Sequence, residues 1–210
     1  MSDRPYVIGL TGNIATGKSL VGRMLSERGA EYIDADRLAH QAMARSTEAW
    51  EQIVRAFGPQ ILQPDGEIDR ARLGAIVFSD AGALARLERI VHPPVIARTE
   101  ELVQRSTAQV VVVEAIKLIE SGMMARLCDA LWVVVAPRAV RIERLMAHRG
   151  SSYEEAVARI DAQPPQSAKV AEADVVIDNG GSIEDTRRQV ARAWDAIERC
   201  VDQALPTGMQ

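Results

Sequence analysis

The sequence predicts an α/β protein built on a parallel sheet with helices packed on both faces. Short β-branched runs alternate with segments of helical period, the order expected of strand–helix–strand units. Val110-Val111-Val112-Val113 is continuously apolar, as a strand buried on both faces must be. Glycine-bearing turns close several of these runs, at Gly12 and at Asn179-Gly180-Gly181.

Five strands follow in order. Tyr6 to Thr11 runs into a glycine turn. Tyr32-Ile33 is short and ends at Asp34. Val110 to Val113 is the buried run, Leu131-Trp132-Val133-Val134-Val135 is another, and Val175-Val176-Ile177 is the fifth. Pro137 fits the first turn of a helix reaching about His148. Ser152-Tyr153-Glu154-Glu155 reads as a capping box that opens the next helix. Ser182-Ile183-Glu184-Asp185 opens the last, with Ile183, Val190, Trp194 and Ile197 as its inner stripe. From Asp36 to Arg105 only helices are expected, with a turn at Pro64-Asp65-Gly66 and a break at His92-Pro93-Pro94. That stretch is too long for a crossover, so it reads as a helical subdomain able to hold a substrate.

Composition narrows the function. The 210 residues are 47% hydrophobic and 26% charged, which fits one large soluble domain or a domain with an insert and excludes a disordered chain. The formal net charge of −4 gives no general attraction for nucleic acid or an anionic membrane, so an anionic ligand needs a local cluster. No run is long enough to span a bilayer, and Met1-Ser2-Asp3-Arg4-Pro5 lacks the apolar stretch of a signal peptide. Cys128 and Cys200 are far apart with no CxxC, so both are expected to be idle thiols in a reducing compartment. A cytoplasmic location, with no nucleic-acid or membrane partner, is the expectation.

The chemistry begins at Gly12-Asn13-Ile14-Ala15-Thr16-Gly17-Lys18-Ser19, which matches G-x-x-x-x-G-K-[ST] between a strand and a helix. That context aims backbone N–H groups and a positive helix end at a phosphate chain. Gly17 allows close approach, Lys18 reaches the β/γ-phosphates, and the Ser19 hydroxyl can ligate Mg²⁺. No Asn-Lys-x-Asp guanine reader is present. Glu114 ends the buried strand, either as a carboxylate for Mg²⁺ or its water shell or as a solvent-facing strand end. A small chain with a helical insert suits a small-molecule kinase. Asp34 and Asp36 follow the second strand, where ligands sit in open parallel sheets. Each can be a base for an acceptor hydroxyl or a cap for the helix from Arg37. Arg138, Arg141, Arg144 and Arg149 either close over a triphosphate or form a solvated face paired with Glu143.

From Ile8 to about Arg188 the chain resembles the dephospho-CoA kinase family. The similar segments are Gly9 through Ser19, Ile33-Asp34-Ala35-Asp36 with His40, Ile68-Asp69-Arg70 with Leu73 and Val77-Phe78, and Leu87 through His92-Pro93. Arg144-Leu145-Met146, Glu154-Glu155-Ala156 with Arg159-Ile160 and Gln163, Lys169, and Ala173 through Asn179 complete them. Their order and spacing carry the resemblance. It implies a P-loop, nucleoside-monophosphate-kinase-like αβα fold of three layers, with a five-stranded parallel sheet, a helical CoA-binding insert and a helical lid. It further implies transfer of the ATP γ-phosphate to the ribose 3′-hydroxyl of dephospho-CoA, the last step of coenzyme A synthesis, with Mg²⁺. The implied boundaries are 1–35, 106–137 and 164–204 for the nucleotide core, 36–105 for the acceptor domain, 138–163 for the lid and 205–210 for a frayed tail.

Residue by residue, the resemblance makes Asp36 the general base and Asp34 an orienting or capping residue. Gly12 through Leu20 bind ATP. Arg70 lies near the acceptor, where its alternative is to cap the Asp69 turn. His92 matches the family's His-Pro, its imidazole expected to satisfy backbone at a helix start. The family's lid arginine falls on His148, leaving Arg149 or Arg144 to serve as the lid cation beside catalytic Lys18. Several positions depart from the family. Asn13 and Ala15 stand where glycines are common, Asn tolerating left-handed backbone and Ala being small. Leu20 replaces a threonine. Glu114-Ala115-Ile116-Lys117-Leu118-Ile119-Glu120 replaces Asp-x-Pro-Leu-Leu-Phe-Glu, which makes Lys117 a new charge, facing solvent or the acceptor's diphosphate. The rival readings are a kinase of another small alcohol, such as a nucleoside, and an ATP-binding regulator without turnover.

Overall fold

The protein is described by a computed structural model over residues 4–204; the tail expected at 205–210 and the side chain of Cys200 lie outside the described residues. Strands β1 (Tyr6–Thr11), β2 (Glu31–Asp34), β3 (Val110–Glu114), β4 (Ala130–Val135) and β5 (Val175–Asp178) form one sheet in the order β2-β3-β1-β4-β5. β1 is central. It pairs in parallel with β3, Tyr6 opposite Val110 and Leu10 opposite Glu114, and with β4, Ile8 opposite Ala130. β4 pairs in parallel with β5. The five expected strands are therefore present, each within a residue or two of its sequence boundary.

The backbone divides into two compact units, one made of the chain up to Ile33 and from Val103 onward, the other of Asp34–Leu102. In the first, the sheet face carrying Ile8, Leu10, Val110, Val112, Trp132, Val134 and Ile177 is covered by α1 (Lys18–Ser26) and α10 (Ile183–Ala204). Val21, Met24 and Leu25 come from α1, and Val190, Trp194 and Ile197 from α10. The opposite face, with Val7, Val111, Val113, Leu131 and Val133, is buried as fully, which explains the unbroken valine run of β3. Helices α7 (Arg138–Arg149) and α8 (Tyr153–Asp161) form a hairpin around Ile142, Leu145, Ala156 and Ile160, with Ile14 and Ala15 packed against it. Short helices α6 (Met123–Leu127) and α9 (Gln166–Val170) complete this unit. The second unit is helical, with α2 (Ala35–Ala42), α3 (Glu48–Phe57), α4 (Arg70–Ser79) and most of α5 (Ala81–Arg105).

Capping chemistry sets several helix starts. The Ser152 hydroxyl accepts from Glu155 N while the Glu155 carboxylate accepts from Ser152 N, the expected box. Thr47 caps α3 and Asp69 caps α4. Four expectations need correction. Pro137 is the N-cap of α7, one residue before the first turn in which it was expected. The insert is not purely helical, since Leu62 and Ile68 form an antiparallel bridge across the Pro64-Asp65-Gly66 turn. His92-Pro93-Pro94 does not break α5, which runs on through both prolines. The prolines remove two donors but not the buried stripe of Val91, Val95, Ile96, Thr99 and Val103, and that burial carries the helix across the gap. Ile183 is 54% exposed, outside the inner stripe, because as the first residue of α10 it stands at the carboxyl edge of the sheet.

No helix among the described residues is long and apolar enough to cross a membrane. Cys128 is partly buried, and burial, with Asp129 adding its charge, pushes its thiol from 9.0 up to about 12. The folded thiol thus keeps its proton where an unfolded one releases it, so its contribution to stability falls as pH rises from 9.0 toward 12. Alkylation of Cys128 at pH 8 should be slow in the folded protein and reach the rate of a free thiol in denaturant; equal rates would contradict the burial.

Candidate active site

The turn between β1 and α1 is shaped by two close approaches and two left-handed residues. A Cβ on Gly12 would lie 2.4 Å from the Val134 carbonyl oxygen, so only glycine lets the loop leave the sheet so near β4. Gly17 has φ 92 and Ala15 has φ 60. The left-handed position among the two substituted glycines is thus Ala15 and not Asn13. Asn13 uses its side chain instead, donating from Nδ2 to the Pro164 carbonyl at 2.7 Å.

The loop's carbonyls are held from behind by cations and an amide. Arg141 Nε donates to Ile14 O at 2.9 Å, and Arg144 Nη1 donates to Ala15 O at 3.3 Å and Thr16 O at 3.2 Å. Arg144 Nη2 reaches Asn179 O at 2.7 Å, and Asn179 Nδ2 reaches Thr16 O at 2.7 Å. A trans peptide points its N–H opposite its C=O, so these bonds turn the N–H groups of Ala15 and Gly17 into the loop. Neither has an acceptor among the described residues. Thr16 N closes back on Asn13 O, and Ile14 N donates to Gln163 Oε1 at 2.7 Å. The Lys18 and Ser19 peptides open α1, so the positive end of that helix faces the same space. The result is a cradle for an anion rich in oxygen.

Beside the loop lies a cavity of about 400 Å³, lined among others by Lys18, Ser19, Arg144, His148, Arg149 and Asn179. The three expected lid cations are therefore brought to one space, but not in one role. Arg144 commits its guanidinium to three backbone carbonyls, whereas His148 and Arg149 are exposed in the last turn of α7. Arg141 is 4% exposed, and burial, with Arg138 nearby, lowers its pKa from the ordinary arginine value. Of the four arginines expected on one solvated face, Arg141 and Arg144 turn inward, Arg149 is exposed, and Arg138 pairs with Asp161 rather than Glu143, at 3.0 Å. Arg23 lines the cavity without any sequence signal that marked it, and Ile183 lines it although its spacing assigned it to the inner stripe.

Glu114 is 7% exposed at the end of β3, and its Oε2 accepts from the Tyr32 hydroxyl. It is not a solvent-facing strand end. Tyr32 lies close over α1, where a Cβ on Gly22 would fall 2.5 Å from its ring. Ser19 and Glu114 are both hard oxygen donors. Among the described residues no three His, Cys, Asp or Glu side chains cluster for a metal. A hydroxyl and a carboxylate suit Mg²⁺, which takes its other ligands from phosphate and water.

Within the helical unit, Asp34 is the N-cap of α2, its carboxylate accepting from Arg37 N at 2.9 Å. Asp36 is half-buried in the first turn of α2. Arg70 is exposed and shares a cavity of about 490 Å³ with His40, Met43, Gln63 and Glu67. Arg72, not Arg70, pairs with Asp69. His92 is half-buried inside α5 rather than at a helix start, and Lys117 is exposed. Ala15 in a left-handed conformation costs about 1 kcal/mol that glycine does not pay. Ala15→Gly should raise the unfolding free energy from urea titration by about that amount; a fall would mean that the methyl's packing on the α7–α8 hairpin outweighs the strain.

The family model described as Dephospho-CoA kinase matches residues 6–185. The dephospho-CoA kinase of Moorella thermoacetica is 43% identical over 208 residues, covering 97% of this chain and 98% of its own. A solved structure, TT1252 from Thermus thermophilus, has a TM-score of 0.78 at 36% identity, covering 93% of this chain and 97% of that one. The dephospho-CoA kinase of Campylobacter jejuni has a TM-score of 0.66 at 29% identity, covering 92% and 97%. With a phosphate cradle of this build and relatives this similar over nearly its whole length, the chain belongs to the dephospho-CoA kinase family.

Proposed function

We propose that the protein transfers the γ-phosphoryl group of ATP to the ribose 3′-hydroxyl of dephospho-CoA, releasing ADP and CoA, in the last step of coenzyme A synthesis. The observation that carries this reading is the backward anchoring of the loop carbonyls, which leaves the Ala15 and Gly17 N–H groups and the start of α1 facing one anion site. Family membership supports the acceptor. Residues 138–163 are the proposed lid and 36–105 the proposed acceptor-binding part.

Gly12 through Leu20 hold the triphosphate. Lys18 reaches the β/γ oxygens, and Arg149, exposed at the end of α7, supplies the lid charge. Arg144 shapes the loop. Ser19 and Glu114 are the proposed Mg²⁺ residues, the ion neutralising charge on the phosphate oxygens when bound. Asp36 accepts the 3′-hydroxyl proton as that oxygen bonds to phosphorus and the bond to the leaving ADP oxygen breaks. Asp34 caps α2, and the family resemblance gives the base role to Asp36. Arg70 and His92 are proposed on the acceptor side.

ADP release from MgATP should require dephospho-CoA and stop on chelation of divalent metal. Turnover with adenosine but not dephospho-CoA would point to a nucleoside kinase, and silence with both to a regulator. Asp36→Asn should lower kcat by about 10²- to 10⁴-fold with little change in the KM for ATP; equal loss in both would remove Asp36 as the base.

A further inference from the structure

Asn179 directly follows β5 and is 2% exposed, yet each of its polar groups is engaged. Its N–H donates to Val135 O at 2.9 Å and its C=O accepts from Arg144 at 2.7 Å. Its Nδ2 donates to Thr16 O at 2.7 Å, and its Oδ1 accepts from the Thr186 hydroxyl at 2.9 Å. Thr186 lies in α10 and is fully buried, its hydroxyl also 3.2 Å from Ser182 O. The amide has only one workable orientation. Rotated by half a turn, Oδ1 would face the Thr16 carbonyl oxygen, two acceptors with no proton between them.

The Thr16–Gly17 peptide is what this amide holds. With its carbonyl fixed to Asn179, the Gly17 N–H must point the other way, into the loop. A Cβ on Gly17 would lie 2.0 Å from Asn179 Nδ2, so the glycine is required by this contact as well as by its φ. We propose that Asn179, oriented by Thr186, is a positioning residue that aims the Gly17 N–H at the bound phosphate chain. Its side-chain amide is bonded to Thr16 and Thr186, so although Asn179 borders the cavity beside the loop, it acts through the loop backbone. The proposal rests on the reading of this loop as the ATP site. It makes a hydroxyl in the last helix a determinant of nucleotide affinity and leaves the acceptor's affinity alone.

Thr186→Val keeps the buried shape and removes the hydroxyl. Calorimetric titration with ADP, beside steady-state kinetics and a melting curve, reads the effect. ADP binding should weaken about five- to tenfold, the size of one lost hydrogen bond, with the KM for ATP following and the KM for the acceptor unchanged. Thr186→Ser should restore wild-type affinity, and Asn179→Ala should weaken ADP at least as much as Thr186→Val. If Thr186→Val melts lower but binds ADP as tightly as wild type, the contact is only structural and the proposal is wrong. A parallel rise in both KM values would overturn it too, as general loosening. Wild-type protein that fails to bind ADP would remove the nucleotide reading itself, and the positioning role with it.

Discussion

A loop that offers its N–H groups to a ligand must turn its carbonyls toward something else, and much of this architecture follows from where they go. Peptide units are planar and trans, so donor and acceptor cannot face the same side. An unpaired carbonyl behind the loop would cost a few kcal/mol at most, but several in a row would leave the loop free to invert. Here Ile14, Ala15 and Thr16 are met by Arg141, Arg144 and Asn179. Those partners come from α7 and from the end of β5, more than a hundred residues along the chain. The helix that carries two arginines inward and the strand that is followed by an asparagine are thus parts of the phosphate site as much as the motif is.

Parallel topology makes this economical. When β1, β3, β4 and β5 run the same way, their carboxyl ends share one edge, and whatever follows each strand is delivered there. β1 delivers the loop, β3 the Glu114 carboxylate, β4 the start of α7, and β5 Asn179. Secondary contacts tie these pieces together. Asn13 reaches Pro164, and Gln163 takes the Ile14 N–H, so the segment after α8 is hooked to the loop that α7 braces. Lys169, 6% exposed, donates to Ile116 O and Glu120, joining α9 to the stretch after Glu114 where the sequence departs from its family.

What could be read from the sequence is what local chemistry dictates. The valine run of β3, the Ser152 box and the glycines around Lys18 each express a constraint contained within a few residues. The misreadings share a cause. Two prolines after His92 are a strong local stop, but the stop was overruled by the burial of Val91, Val95 and Ile96, which only the assembled core supplies. Ile183 has the right spacing for an inner stripe and the wrong height along the sheet. The arginines of α7 were visible as cations, but nothing local says that Arg141 and Arg144 point at carbonyls while Arg149 does not. Asn179 was legible as turn punctuation before two glycines and as the end of a family segment, but not as a partner of the loop. Tyr32 gave no signal, because its partner Glu114 lies 82 residues away.

The strand order also has a consequence for how the molecule is made. The central strand precedes both of its neighbours in the chain, so neither exists when it leaves the ribosome. Thr11 meets Ala115 across 104 residues of chain, and β4 comes later still. Until then β1 carries two open edges of Val, Ile and Leu, the kind of segment that pairs with whatever strand it meets. Closing so long a span is slow in comparison with forming the helices between. The nascent chain therefore keeps β1 unshielded through at least the 104 residues that separate Thr11 from Ala115, and nascent-chain chaperones have most to protect in that interval.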